Sequence, residues 1–226
     1  MDALAHHFFN WDALWRSRTM LLQGAVGSLQ LGLATLMFAP LFGIVVLALA
    51  RSPWAPVRKA AEWFTDLMRA FPLLVFLVLT FYLLLPLLNL RVDPFIAAAV
   101  AFSLKHGVYF AEIYRSAWLA VDRGQFQAAH SLGLSTFRTI QLVVVPQVLL
   151  IVLPPFTSQA TLILRDLPLA FIIGYFEILT GARAAQVFVR NASPLVGAIV
   201  AYGATLILLQ WAAGRVEAYS KRRLEA

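Results

Sequence analysis

The sequence contains no cysteine. Disulfides and thiolate metal sites are therefore excluded. Histidine is almost as scarce: His6, His7, His106 and His130 are the whole set. Only the first two are neighbours, and that pair reads as a solvated face rather than a metal site. Charged residues make up 13% of the chain, about half the usual share of a globular domain. No phosphate-cradling Gly-x-x-x-x-Gly-Lys loop and no Gly-x-Ser-x-Gly nucleophile elbow occurs. If ATP is used, another chain must bind it together with its magnesium, and no cofactor is expected here.

What remains is apolar. Of 226 residues, 61% are hydrophobic, and the mean hydropathy is +0.79. That composition belongs to an integral membrane protein. The net charge is +7. In a soluble chain it would point to nucleic acid. Here the basic residues gather at the ends of apolar runs, the pattern of the cytoplasmic positive bias and of anionic lipid. Nucleic acid is not an expected partner, whereas membrane lipid is.

The runs can be taken in order. Residues 1–18 alternate aromatics (Phe8, Phe9, Trp11, Trp15) with Asp12, Arg16 and Arg18, and read as a separate interfacial helix. The transmembrane remainder, 19–226, opens with a first span from Met20 to Ala50, longer than a ~30 Å hydrocarbon core requires. Arg51-Ser52-Pro53 breaks it. An amphipathic piece, Val57 to Ala70, leads through Pro72 into a second span ending near Leu88. A third span covers Pro94 to Val121, and a fourth Ile140 to Leu164, bent by Pro146, Pro154 and Pro155. A short apolar piece, Ala170 to Leu179, and a polar return, Gly181 to Ser193, form a half-depth hairpin before a fifth span, Pro194 to Ala213. The expected fold is all-α: five transmembrane helices plus that hairpin.

The organising stretch is Asp122 to Gln147, a polar island between spans. Gly124 and Gly133 bracket a run with good helical propensity. Gly133 can take positive φ and end that helix, and Ser135 can cap the next. Two short helices at an exposed corner suit a docking element. The stretch resembles the cytoplasmic coupling loop of ABC importer permeases, Glu-Ala-Ala, three residues, Gly, and a later Ile/Leu-Pro ending. Ala128, Ala129, Gly133 and Pro146 stand in register, with Gln127 in place of the motif's Glu. The preceding Gly124-Gln125 resembles the polar amino acid uptake family, as does Arg69-Ala-Phe-Pro-Leu-Leu74 beside that family's Arg-Gly-Thr-Pro-Leu-Leu. Arg165-Asp-Leu-Pro-Leu169 is similar to its Lys-Asp-Thr-Ser-Leu segment.

The resemblance implies the type I ABC importer permease fold in a bacterial inner membrane, similar to the glutamate/aspartate-type permeases. It implies a second permease, identical or homologous, two cytoplasmic ATPase subunits, and an extracytoplasmic binding protein. Gly124, Gln125, Gln127, Ala128, Ala129 and Gly133 would couple to the ATPase. This chain would do no chemistry of its own.

Charges inside apolar runs need a reason, since one at mid-bilayer costs at least about 2.5–3.5 kcal/mol. Lys105 and Glu112 are nearly two turns apart on one helix, with Tyr109 between them. Arg165 and Asp166 form a second cluster. As a substrate pathway, Lys105 and Arg165 would hold a carboxylate, and Glu112 and Asp166 an ammonium. As structure, the groups would simply neutralise one another. Lys105, where the family usually carries Asn, tilts the substrate towards acidic amino acids. An ion-coupled secondary transporter of small polar solutes is the competing reading. Such proteins are usually built from internal repeats, and none is visible. A membrane-embedded enzyme is a third, and no paired catalytic groups support it.

The basic residues after the first span, in the 122–147 stretch and at the tail place the N-terminus outside and the C-terminus in the cytoplasm. A reporter fused after Arg223 is expected to read cytoplasmic, and one inserted at 89–92 external. The reverse pattern would overturn this orientation.

Overall fold

The computed structural model describes residues 7–224. Almost all of them are helical, and none of the described residues forms a strand. The helices are α1 (Trp11–Ala50), α2 (Ala55–Ala70), α3 (Leu73–Leu87), α4 (Pro94–Ala120), α5 (Arg123–Ser131), α6 (Thr136–Ile173), α7 (Ile178–Val189) and α8 (Ser193–Leu224). Helices α1, α4, α6 and α8 are long and apolar enough to cross a membrane, and the broken pair α2–α3 makes a fifth crossing if it counts as one span.

Two boundaries differ from the sequence reading. Residues 11–18 are not a separate helix. They are the first two turns of α1, which runs unbroken to Ala50. Nothing interrupts the backbone there, and local groups support it: the Ser17 hydroxyl donates to the Ala13 carbonyl at 2.6 Å, and Arg18 stacks 4.4 Å from the Trp15 ring. Residues 1–6 of that stretch lie outside the described ones. The polar return at 181–193 is mostly helix α7. Its 12 residues reach only about 18 Å, near half of a hydrocarbon core.

Proline shapes the rest. Both α3 and α6 contain a wide π-helical turn, at Thr80–Leu84 and Ile140–Val144. Each ends two residues before a proline, Pro86 and Pro146. A helical proline has no N–H to donate and crowds the carbonyl four residues back. Those carbonyls, of Tyr82 and Leu142, fall inside the π turns, which absorb the crowding by widening. Pro154 sits inside α6 and leaves the Leu150 carbonyl without its usual donor. The Ser220 hydroxyl of α8 supplies one at 2.6 Å.

The chain clusters into two compact units. One holds Met1–Met37, Phe71–Ser103 and Leu162–Leu208, the other Phe38–Ala70, Leu104–Thr161 and Leu209–Ala226. The first is organised around Glu177, whose side chain is fully buried. It caps α7, accepting from the Leu179 and Thr180 amides at 2.9 and 2.7 Å, and it takes the Tyr202 hydroxyl of α8. Ser28 of α1 lies 3.3 Å from that hydroxyl and accepts from the Ile178 amide at 3.2 Å. The Tyr175 hydroxyl donates to the Gly27 carbonyl at 2.8 Å. Glu177 thus ties α1, α7 and α8 together by capping rather than by ion pairing.

The second unit is held by small residues. Ala39 and Gly43 of α1 meet Gly107 and Ala111 of α4, each pair four residues apart. A Cβ on Gly43 would stand 2.9 Å from the Gly107 carbonyl oxygen, and one on Gly107 3.1 Å from that of Ala39. Backbones this close are the usual product of small residues at a four-residue spacing in membrane helices.

In the first unit the approach at Gly27 is closer still: a Cβ there would lie 2.0 Å from the Phe176 carbonyl oxygen. Gly27→Leu is therefore expected to push α1 off the start of α7, at a cost of about 1–3 kcal/mol or more. Size-exclusion profiles and melting in detergent check this. A Gly27→Leu protein that melts like the parent would overturn the close-packing account.

Candidate functional site

The 122–147 stretch folds as a rigid exposed corner. The Asp122 carboxylate accepts from the Gly124 amide at 2.5 Å and so caps α5. At the other end Gly133 adopts φ +78°. Its amide donates to the His130 carbonyl at 2.9 Å, and the Leu134 amide reaches back to Ala129 at 3.1 Å. This pair of bonds is the Schellman motif, in which the left-handed residue satisfies the last carbonyls of a helix. Ser135 then caps α6, its side chain accepting from the Arg138 amide at 3.4 Å.

His130 adds a clamp. Its Nδ1 lies 2.6 Å from the Phe126 carbonyl oxygen, and its Nε2 lies 3.3 Å from the Thr136 hydroxyl. A carbonyl only accepts, so Nδ1 carries a proton. The ring joins α5 to the start of α6. Leu132 and Phe137 project from the corner, 83% and 74% exposed. Of the residues expected to couple here, Ala129 is buried and forms the packed side of α5. Gly124, Gln125, Gln127, Ala128 and Gly133 are exposed.

The charged candidates divide between the units. Lys105, Tyr109 and Glu112 belong to the second, Arg165 and Asp166 to the first. Lys105 is buried and donates to the Met68 carbonyl near the end of α2. Pro72, four residues on, cannot supply the amide that carbonyl would otherwise receive. Lys105 therefore acts as a cap for α2, and a cation suits the negative end of a helix dipole. Glu112 is held from two sides. Arg115 donates to it from the next turn, with Nε at 3.0 Å. Arg69 of α2 stands 3.7 Å away. Tyr109 lies between the two clusters, its ring centre 5.7 Å from the Lys105 ammonium and 5.8 Å from the Arg69 guanidinium.

Glu112, Arg69 and Arg115 line a cleft of about 430 Å³ with Arg51, Glu62 and Asp66. Three cations face three anions there, in a chain with few charges of either sign. Such a cleft offers partners to both ends of a zwitterion. Arg165 is exposed and Asp166 half-buried at the end of the α-helical part of α6.

Sequence reasoning passed over Arg115, Glu177 and the buried pair His106–Gln159, whose side chains meet at 2.8 Å. Arg115 was legible as a charge three residues after Glu112. Glu177 carried a weaker signal, an acidic residue inside an apolar run immediately before the start of a helix. Nothing in the sequence pairs His106 with Gln159, 53 positions away.

The comparisons bear on the family and the fold. The family described as "Binding-protein-dependent transport system inner membrane component" matches residues 39–224. The L-cystine transport system permease protein TcyB of Bacillus subtilis is 30% identical over 182 residues, 80% of this chain and 76% of its own. The glutamate/aspartate import permease protein GltK of Escherichia coli O157:H7 is 28% identical over 223 residues, 95% and 98% of the two chains. The crystal structure of "an amino acid ABC transporter with histidines" superposes with a TM-score of 0.85 at 23% identity, covering 93% of this chain and 98% of that one, and so shares the fold. A polytopic helical membrane protein with an exposed, doubly capped corner between spans is thereby placed in a class, the type I ABC importer permeases. More narrowly, the chain belongs to the binding-protein-dependent inner membrane component family and groups with its polar amino acid permeases.

Two expectations follow from the site. No atom lies within 4 Å of a Cβ built on Gly133, so any penalty there is conformational. Gly133→Val should cost about 1–3 kcal/mol through its positive φ, whereas Gly133→Asn, which tolerates that region, should cost much less. Equal melting of the two variants would contradict this. Lys105→Met should destabilise the protein by about 1.5–3 kcal/mol, the worth of a buried charge-assisted hydrogen bond. A Lys105→Met variant with parental melting would show that the cap is dispensable.

Proposed function

We propose that the protein is the membrane-spanning subunit of an ATP-driven importer of polar amino acids. It works with a second permease, two cytoplasmic ATPase subunits and an extracytoplasmic binding protein. The observation that carries this is the corner at 122–135. It is rigid by backbone bonding, it stands outside the spans, and it presents Leu132 and Phe137 to a partner. Residues Gly124, Gln125, Gln127, Ala128, Ala129 and Gly133 form the coupling element. ATP and magnesium bind the partner subunits, and this chain carries out no catalysis.

The transport step is alternating access. Partners and substrate can shift the inward–outward balance only by the difference in their affinity for the two states. Gln127, where the family motif has Glu, keeps hydrogen-bonding capacity and presents no charge to the ATPase. Within the second unit the proposed substrate-path residues are Tyr109 and Glu112, with Arg69 and Arg115 in the mixed-charge cleft; Arg165 and Asp166, in the first unit, are proposed for the path separately. Lys105 acts on the path indirectly, by holding the end of α2. A mixed cleft takes an amino acid's ammonium and carboxylate alike. Acidic amino acids, the finer reading, draw on the likeness to a glutamate/aspartate permease and on the cations Arg69 and Arg115 beside the path.

Reconstitution with its ATPase and binding protein, followed by a screen of amino acids, tests this. ATP hydrolysis is expected to rise with polar amino acids, and with glutamate and aspartate most of all. Stimulation by glutamine or cystine alone would remove the acidic assignment. Uptake that needs an ion gradient and no ATP would replace the importer reading with the secondary transporter. A Gly133→Val variant is expected to insert and to lose uptake. Parental uptake by that variant would refute a coupling role for the corner.

A further inference from the structure

A second cavity in the unit that holds the coupling corner has a different chemistry. It is a groove of about 740 Å³, and Pro146, Leu149, Leu153 and Phe156 of α6 form one wall, with Tyr219 and Arg223 of α8. The α6 residues recur at three- and four-residue spacing. They form a single stripe from Pro146 to Phe156, about 15 Å of helix. The cavity is thus elongated and apolar rather than round. Its wall is fixed, because the Ser220 hydroxyl is spent on the Leu150 carbonyl that Pro154 leaves open. One turn past Ser220, Arg223 stacks 5.7 Å from the Tyr219 ring. Lys221, Arg222 and Arg223 stand in the last turn of α8, and no carboxylate among the described residues lines the groove.

We infer that this groove holds one acyl chain of an anionic phospholipid, whose headgroup sits against Arg223. The apolar stripe matches the chain, which a free phosphate could not fill. The basic turn matches a net negative headgroup, since clustered Lys and Arg at a helix end attract anionic lipid. Tyr219 supplies the amphipathic ring that suits the boundary between the two. A helix of a second permease could also cover an apolar stripe, but a lipid matches both the stripe and the charge of Arg223 at its end. The site is independent of the substrate reading. It bears on regulation, for a lipid there touches α6 at Pro146, eight residues after Arg138 of the coupling corner's last cap.

The test uses the full chain purified in mild detergent and stripped of lipid. Native mass spectrometry follows titration with phosphatidylglycerol or phosphatidylcholine of identical chains. Phosphatidylglycerol is expected to bind about tenfold more tightly. Arg223→Ala should reduce that preference to about twofold or less. Leu153→Trp, which fills the groove, should weaken both lipids together. Should Leu153→Trp fail to fold, Leu149→Phe narrows the groove from its exposed rim. Equal binding of the two lipids, or an unchanged preference in Arg223→Ala, would overturn the inference. So would a disulfide between two copies of Leu149→Cys in membranes, which this cysteine-free chain would report without background.

Discussion

Inside a bilayer no water stands ready for an unmade backbone hydrogen bond, and each orphaned group costs several kcal/mol. This chain carries 11 prolines, several of them in or beside its spans, so the constraint recurs along it. The structure answers in two ways. Where the crowded carbonyl lies within one helix, as before Pro86 and Pro146, the helix widens into a π turn. Where the carbonyl points to a neighbour, a side chain reaches across: Ser220 to Leu150, Lys105 to Met68. Helix breaks and helix contacts are therefore the same events. A proline opens a carbonyl, and the residue that closes it pins a second helix in place.

This logic reorders the polar residues. A charge within a membrane helix invites a functional reading by default, and Lys105 receives one from sequence. Its position beside an opened carbonyl gives it a backbone role. Glu112 differs, since it is partly exposed and shares a cleft with Arg69 and Arg115. Glu177, the most buried of the acids, serves as a helix cap and never meets the cleft's chemistry. Burial alone therefore separates poorly between function and structure here; what each charge accepts from, or donates to, separates them.

Much of the architecture was legible in advance because a membrane simplifies the code. Apolar runs bounded by basic residues marked α1, α4, α6 and α8, and the Gly133–Ser135 pair marked both caps of the corner. The misses have local causes. The 11–18 segment looked distinct because Trp and Arg alternate there, yet no residue in it stops a helix. The 181–193 return looked like a loop because Gly181, Arg183 and Gln186 are polar or small. It is helical because Glu177, outside that window, caps its start. The site was less legible than the fold. Which carbonyl a lysine reaches depends on where two helices cross, and no periodicity records a crossing.

The corner around Gly133 has a mechanical side. Its shape is held by amide–carbonyl bonds and by two caps, with open space where a side chain on Gly133 would stand. A push on Leu132 or Phe137 is therefore carried by the backbone itself, as a short stiff lever, rather than through a cushion of packed side chains. Such a lever transmits displacement with little loss. It also leaves the exposed faces of Ser131 and Arg138 free to vary to suit a partner's surface, since neither face sets the angle of the bend.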